Sequence, residues 1–131
     1  MLLLAGMLLT GCRGREPEPG GVRVLLDGKP FAGGSVAADS ADDVRVYVTL
    51  DGAALIDLPF GDAHTVTVSQ ADGSENVVVL DGEAVVMQSA NCENQDCVNM
   101  GAVTRENLEL RVMGGFIVCL PHRLSVEVRS R

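Results

Sequence analysis

An all-β fold is expected, a small sandwich or partial barrel of about seven short, mostly antiparallel strands. Three observations predict it. Val44, Val46, Val48 and Leu50 alternate with Arg45, Tyr47 and Thr49, and Leu124, Val126 and Val128 alternate with Ser125 and Glu127, the two-residue period of a half-buried strand. Asp-Gly pairs at 27–28, 51–52, 72–73 and 81–82 punctuate the runs, as hairpin turns require. The composition agrees: the 131 residues include 15 glycines but no Trp, one Tyr and three Phe, with Val, Leu and Ala supplying most of the apolar content, a mixture that suits strands and tight turns over long helices.

Taken in order, Met1-Leu-Leu-Leu-Ala-Gly-Met-Leu-Leu-Thr-Gly-Cys12 is uncharged and mostly apolar. It is too short to span a bilayer and matches the apolar region of a secretory signal. Leu9-Thr10-Gly11-Cys12 resembles the bacterial lipobox. That resemblance implies lipidation at Cys12, a membrane contact through the lipid, and an extracytoplasmic location at the bacterial cell membrane. Residues 13–42 read as a linker with one candidate strand at Val22–Leu26, because Arg13–Gly21 is rich in Pro, Gly and mixed charge and cannot build a core. Residues 43–131 read as the folded β domain.

Within that domain Ala54, Ile56 and Leu58 continue the hairpin from β-type alternation, and His64, Val66 and Val68 share the next strand's face. Val77–Leu80 and Ala84–Met87 flank the Asp81-Gly82 turn. Leu108, Leu110 and Val112 alternate with Glu109 and Arg111, which reads as a further strand. Phe116–Leu120 is apolar throughout, which predicts a central strand, and Pro121 ends it because proline cannot donate to a ladder.

The net charge is −8, and residues 43–100 carry one basic and ten acidic groups. A phosphate backbone is bound by clustered Lys and Arg, so no nucleic-acid partner is expected. The acidic stretch reads as a solvated surface. No Gly-x-Ser-x-Gly elbow, phosphate-cradling loop or His-Glu-x-x-His motif is present, and no enzyme activity is expected.

Chemistry concentrates between Cys92 and His122. Cys92-x4-Cys97-Val98, Gly101 and Ile117-Val-Cys-Leu-Pro-His-Arg-Leu124, preceded by Val79-Leu-Asp-Gly-Glu-Ala-Val-Val86, resemble the NusG domain II family over about residues 43–129. The resemblance implies a compact all-β fold; it does not imply an enzyme activity. Glu93-Asn94 stand where the family usually has Pro-Asp, and Thr104–Met113 forms an added excursion. No transcription role is carried over, because a lipobox argues against it.

Three readings of the site stay open. Outside the cytoplasm cysteines oxidise, so Cys92, Cys97 and Cys119 would form one disulfide in any of three pairings, leaving one thiol. Alternatively, Cys92, Cys97, Cys119 and His122 are three sulfurs and one nitrogen, a recognised zinc set. Third, a reversible Cys92–Cys97 bridge or a surface thiol would exchange electrons with a membrane-associated partner. The function expected first is a non-catalytic interaction or accessory module with an extracytoplasmic protein partner. The alternative is a redox-active or metal-binding module.

Overall fold

The computed structural model describes residues 21–37 and 43–130. The signal and lipobox with Cys12, and the linker stretches 13–20 and 38–42, lie outside the described residues. Two sheets face one another in a sandwich that is not closed into a barrel.

The first sheet has six strands. β1 (Arg23–Leu26) and β2 (Lys29–Pro30) form a hairpin, and β1 then pairs antiparallel with β6 (Ala63–Ser69). β6 continues to β7 (Glu75–Asp81), β7 to β8 (Ala84–Ala90), and β8 to the two-residue β9 (Val103–Thr104). In the second, five-stranded sheet β10 (Phe116–Cys119) is at one edge, followed by β11 (Leu124–Ser130), β4 (Val44–Leu50), β5 (Ala53–Pro59) and β3 (Gly34–Ser35). All these pairings are antiparallel except β3 with β5.

Alternation explains the core. Val66, Val68, Val78, Leu80, Val85 and Met87 point inward from the first sheet, and Val46, Val48, Ile56, Leu58, Val126 and Val128 from the second. Their neighbours along each strand are at most half-buried in most cases. The Asp-Gly turns work as the sequence requires: Asp27, Gly28, Asp51 and Gly52 all have positive φ, the backbone of a two-residue hairpin turn whose twist matches its strands.

The candidate strand at Val22–Leu26 forms as β1, and Arg23 to Leu26 pair in register with Ser69 to Val66. Three local readings change. Arg45 is not on a solvated face but 2% exposed. β3 and Val36 cover it, and its guanidinium bonds Asp57, the Ser35 hydroxyl and the Val36 carbonyl. Residues 105–115 are turns, not a strand. The Leu110 and Arg111 amides both bond the Asn107 carbonyl, which closes the chain on itself before any ladder can form. Finally, β10 is an edge strand rather than a central one. Among the described residues no strand lies beyond it: Phe116 N–H donates to the Met113 carbonyl, Arg111 donates to the Phe116 carbonyl, and Val118 N–H points to Met100 Sδ.

Candidate functional site: a buried three-thiol cluster beside an apolar platform

The chain leaves β8 at Ala90, rejoins the first sheet only at the two residues of β9, and enters the second sheet at Phe116. Cys92 lies just after β8, Cys97 lies in the short helix α1 (Asp96–Asn99), and Cys119 is the last residue of β10. Strand alternation turns Ile117 and Cys119 toward the core, while Val118 stays half-buried and Leu120 is exposed. The cluster therefore spans both sheets at one edge of the sandwich.

The three sulfurs lie within 4.8 Å of one another, and all three residues are buried. Cys92 is 6% exposed, Cys97 and Cys119 only 1%, so none is a surface thiol. Cys92 Sγ and Cys97 Sγ are 3.8 Å apart, against about 2.05 Å for a bonded pair. The structure holds three free thiols and none of the disulfide pairings the sequence left open. Burial pushes the Cys97 thiol up to about 12, with hydrogen bonding to Cys119 and Cys92 and their charges adding to it.

Gln95 shapes the loop. It takes a left-handed backbone conformation before α1, and its carboxamide donates to the Ala90 carbonyl at 2.6 Å, to the Cys92 carbonyl at 2.7 Å and toward Cys92 Sγ at 3.7 Å. Asn94 Oδ1 accepts from the Asp96 amide. These contacts hold Cys-x4-Cys open as a loop with both sulfurs facing inward.

His122 does not join the sulfurs. It is buried, and its Nδ1 is 2.8 Å from Asn76 Oδ1. Asn76 is fully buried on β7 and donates to Met87 Sδ. The zinc set read from the sequence thus splits into three sulfurs together and one imidazole committed to a neighbouring polar pair. His64 is a strand residue held by Asp27, Nδ1 to Oδ2 being 2.8 Å.

Outside this edge lies an apolar platform. The large hydrophobic side chains exposed among the described residues are Leu110, Val112, Met113, Phe116 and Leu120. The segment carrying the first three is built, not slack. Asn107 donates to the Ala102 carbonyl and accepts from the Thr104 amide, and Arg111 bonds the carbonyls of Gly114, Phe116 and Met100. Leu108 packs back on the core. A cleft of about 230 Å³ between Asn94, Asp96, Met100, Met113, Val118 and Leu120 adjoins it.

Sequence reasoning missed Gln95, Asn76 and the platform. A polar residue inside a Cys-x4-Cys loop, and one at an inward-facing position of a valine-rich strand, were the available signals.

The chain matches the family described as NusG domain II over residues 22–131. It is similar in structure to the Lin0431 protein from Listeria innocua, with 26% identity, 68% of this chain and 98% of that one covered, and a TM-score of 0.57. A DUF1312 family protein from Ruminococcus gnavus shares 26% identity over 66% of this chain and 99% of its own, at a TM-score of 0.52. A DUF1312 family protein from Enterococcus faecalis, at 22% identity, 66% and 97% coverage and a TM-score of 0.57, shares the fold. No curated protein matches. The match from residue 22 onward takes in the β1 strand together with the thiol cluster, and the chain belongs to the NusG domain II family.

Proposed function

We propose that this protein is a non-catalytic interaction module, anchored by lipid on Cys12 at the outer face of the bacterial cell membrane, which holds an extracytoplasmic protein partner on its apolar platform. One observation carries the reading: the exposed large hydrophobics all fall between Leu110 and Leu120, on a segment held rigid by Asn107 and Arg111. Single exposed apolar residues are ordinary, whereas a contiguous group marks a contact surface.

The point where the domain chain begins supports a partner near the membrane. Gly21 abuts Ala71. The turn at Gln70 is tied to the His122–Arg123 turn, Gln70 Nε2 donating to the His122 carbonyl and Arg123 to Gln70 Oε1. Leu120 therefore sits at the end of the sandwich that the linker enters.

The test uses the full chain in an exporting bacterial host. Labelling with a clickable fatty acid should mark the wild type and not Cys12→Ser, which should leave the membrane fraction. A photo-crosslinker at Val112 should give one adduct of fixed mass, absent from a crosslinker at Thr67 and lost with Leu110→Ser/Leu120→Ser. Equal adducts from Val112 and Thr67 would sink the platform reading.

A second reading rests on the three sulfurs within 4.8 Å: a redox-active or metal-binding module serving a membrane-associated partner. Loss of function in Cys92→Ser at unchanged melting temperature would favour it over the first.

A further inference from the structure

We propose that Cys92, Cys97 and Cys119 form a three-sulfur site for a thiophilic monovalent cation, Cu(I), without His122. The proposal rests on the second reading above and narrows it to one ligand class and one coordination number.

Geometry comes first. An ion centred among three sulfurs at about 2.3 Å from each needs sulfur–sulfur separations of about 4.0 Å. The observed 3.8 Å between Cys92 and Cys97, with all three pairs within 4.8 Å, brackets that value. An ion would draw the sulfurs together by tenths of an ångström, without moving a strand.

The choice of ion follows from what surrounds the sulfurs. Thiolates are soft ligands that select Cu(I) and zinc among common metals. Structural zinc sites are four-coordinate and tetrahedral. Here the fourth corner has no donor: no His, Asp or Glu among the described residues joins the group, and His122 is bonded to Asn76. With exposures of 6%, 1% and 1%, the three cysteines leave solvent little access to that corner. Cu(I) is satisfied by three sulfurs. Each thiol that becomes a ligand releases its proton to solvent, so uptake strengthens as pH rises.

The experiment titrates the full chain, reduced and oxygen-free, with Cu(I) against a chromophoric Cu(I) chelator. X-ray absorption at the copper edge then counts the neighbours. One Cu(I) per chain with three sulfur neighbours and no nitrogen is expected, and excess Zn(II) should not displace it. Cys119→Ser should weaken binding by more than the roughly 10–100-fold that loss of an outer-shell partner causes, and His122→Gln should leave the sulfur count unchanged. No copper held against the chelator, two sulfur neighbours, or a nitrogen neighbour lost in His122→Gln would each overturn the site. If Cys119→Ser does not fold, the neighbour count on the unaltered chain decides alone. A chain that takes no copper but reversibly forms a Cys92–Cys97 disulfide retires this proposal and leaves the redox reading standing; one that does neither retires both.

Discussion

Replacing Asp57 by Ala tests the account of the buried arginine most directly. Arg45 is 2% exposed, and Asp57 is 28% exposed. Arg45 Nε donates to Asp57 Oδ1 at 2.9 Å, and Nη2 bonds the same carboxylate, the Ser35 hydroxyl at 3.1 Å and the Val36 carbonyl at 2.7 Å. Without the carboxylate the guanidinium stays enclosed with neutral acceptors alone. Removing one partner of a buried pair costs about 3–5 kcal/mol. Partial solvent access at Asp57 lowers the expectation to about 2–4 kcal/mol. For a domain of this size that corresponds to a fall in Tm of roughly 8–20 °C. The assay is urea unfolding followed by far-ultraviolet circular dichroism under reducing conditions, with an unchanged m-value expected. Arg45→Met/Asp57→Leu removes both charges and should be less destabilised than Asp57→Ala alone, since apolar replacement of a whole pair is often neutral. A loss below about 1 kcal/mol in Asp57→Ala, or a double variant worse than the single, would refute the reasoning.

Four further outcomes follow from the same structure. Gly115→Ala should destabilise by about 1–3 kcal/mol, because a Cβ there would run into the Val128 carbonyl and lie 2.9 Å from Leu108 Cδ1; an unchanged urea midpoint would contradict the close approach of the excursion to β11. In the reduced protein at neutral pH, iodoacetamide should leave all three thiols unmodified over the time in which it labels the unfolded chain, as read by mass spectrometry. Because the Cys97 thiol is raised to about 12, its contribution is intact below the unfolded-chain thiol range and is lost as pH climbs through the alkaline range, so urea midpoints should fall there in wild type and fall less in Cys97→Ala. Burial works to raise Asp27, but the Thr65 amide and His64 outweigh it and hold its carboxyl below the usual carboxylate range. Its contribution is present at neutral pH and lost as pH falls through that lowered value, so Asp27→Asn should flatten the acid limb of a Tm-against-pH curve.

Strand identity was legible wherever one face is buried and the other wet, because burial imposes the two-residue period directly. Val46, Val48 and Leu50 are buried while Tyr47 and Thr49 are half-buried, and β11 behaves the same way. Arg45 broke the pattern because what covers it comes from β3, a two-residue strand inside the stretch read as linker. Leu110 and Val112 carry the alternating pattern without a partner strand, so the period has nothing to bury. The proximity of Cys92, Cys97 and Cys119 was legible from their spacing around a motif. The exclusion of His122 was not, since its partner Asn76 lies on the opposite sheet and becomes a partner only once the sandwich is assembled.

The edge strand β10 carries a further consequence. Phe116-Ile-Val-Cys-Leu120 has the apolar, proline-free, uncharged composition of segments that stack into cross-β fibres, and it lies beside an exposed apolar surface. Its outward backbone groups at Phe116 are already taken by Met113 and Arg111, and Val118 N–H by Met100 Sδ. The exposed apolar side chains are thereby displayed with the adjoining strand edge stoppered. Arg111→Ala should unstopper it and make the chain a slow fibre former, visible as time-dependent light scattering with a dye signature for cross-β; a variant that stays clear for as long as wild type would show that the side chains, not the guanidinium, keep the edges apart.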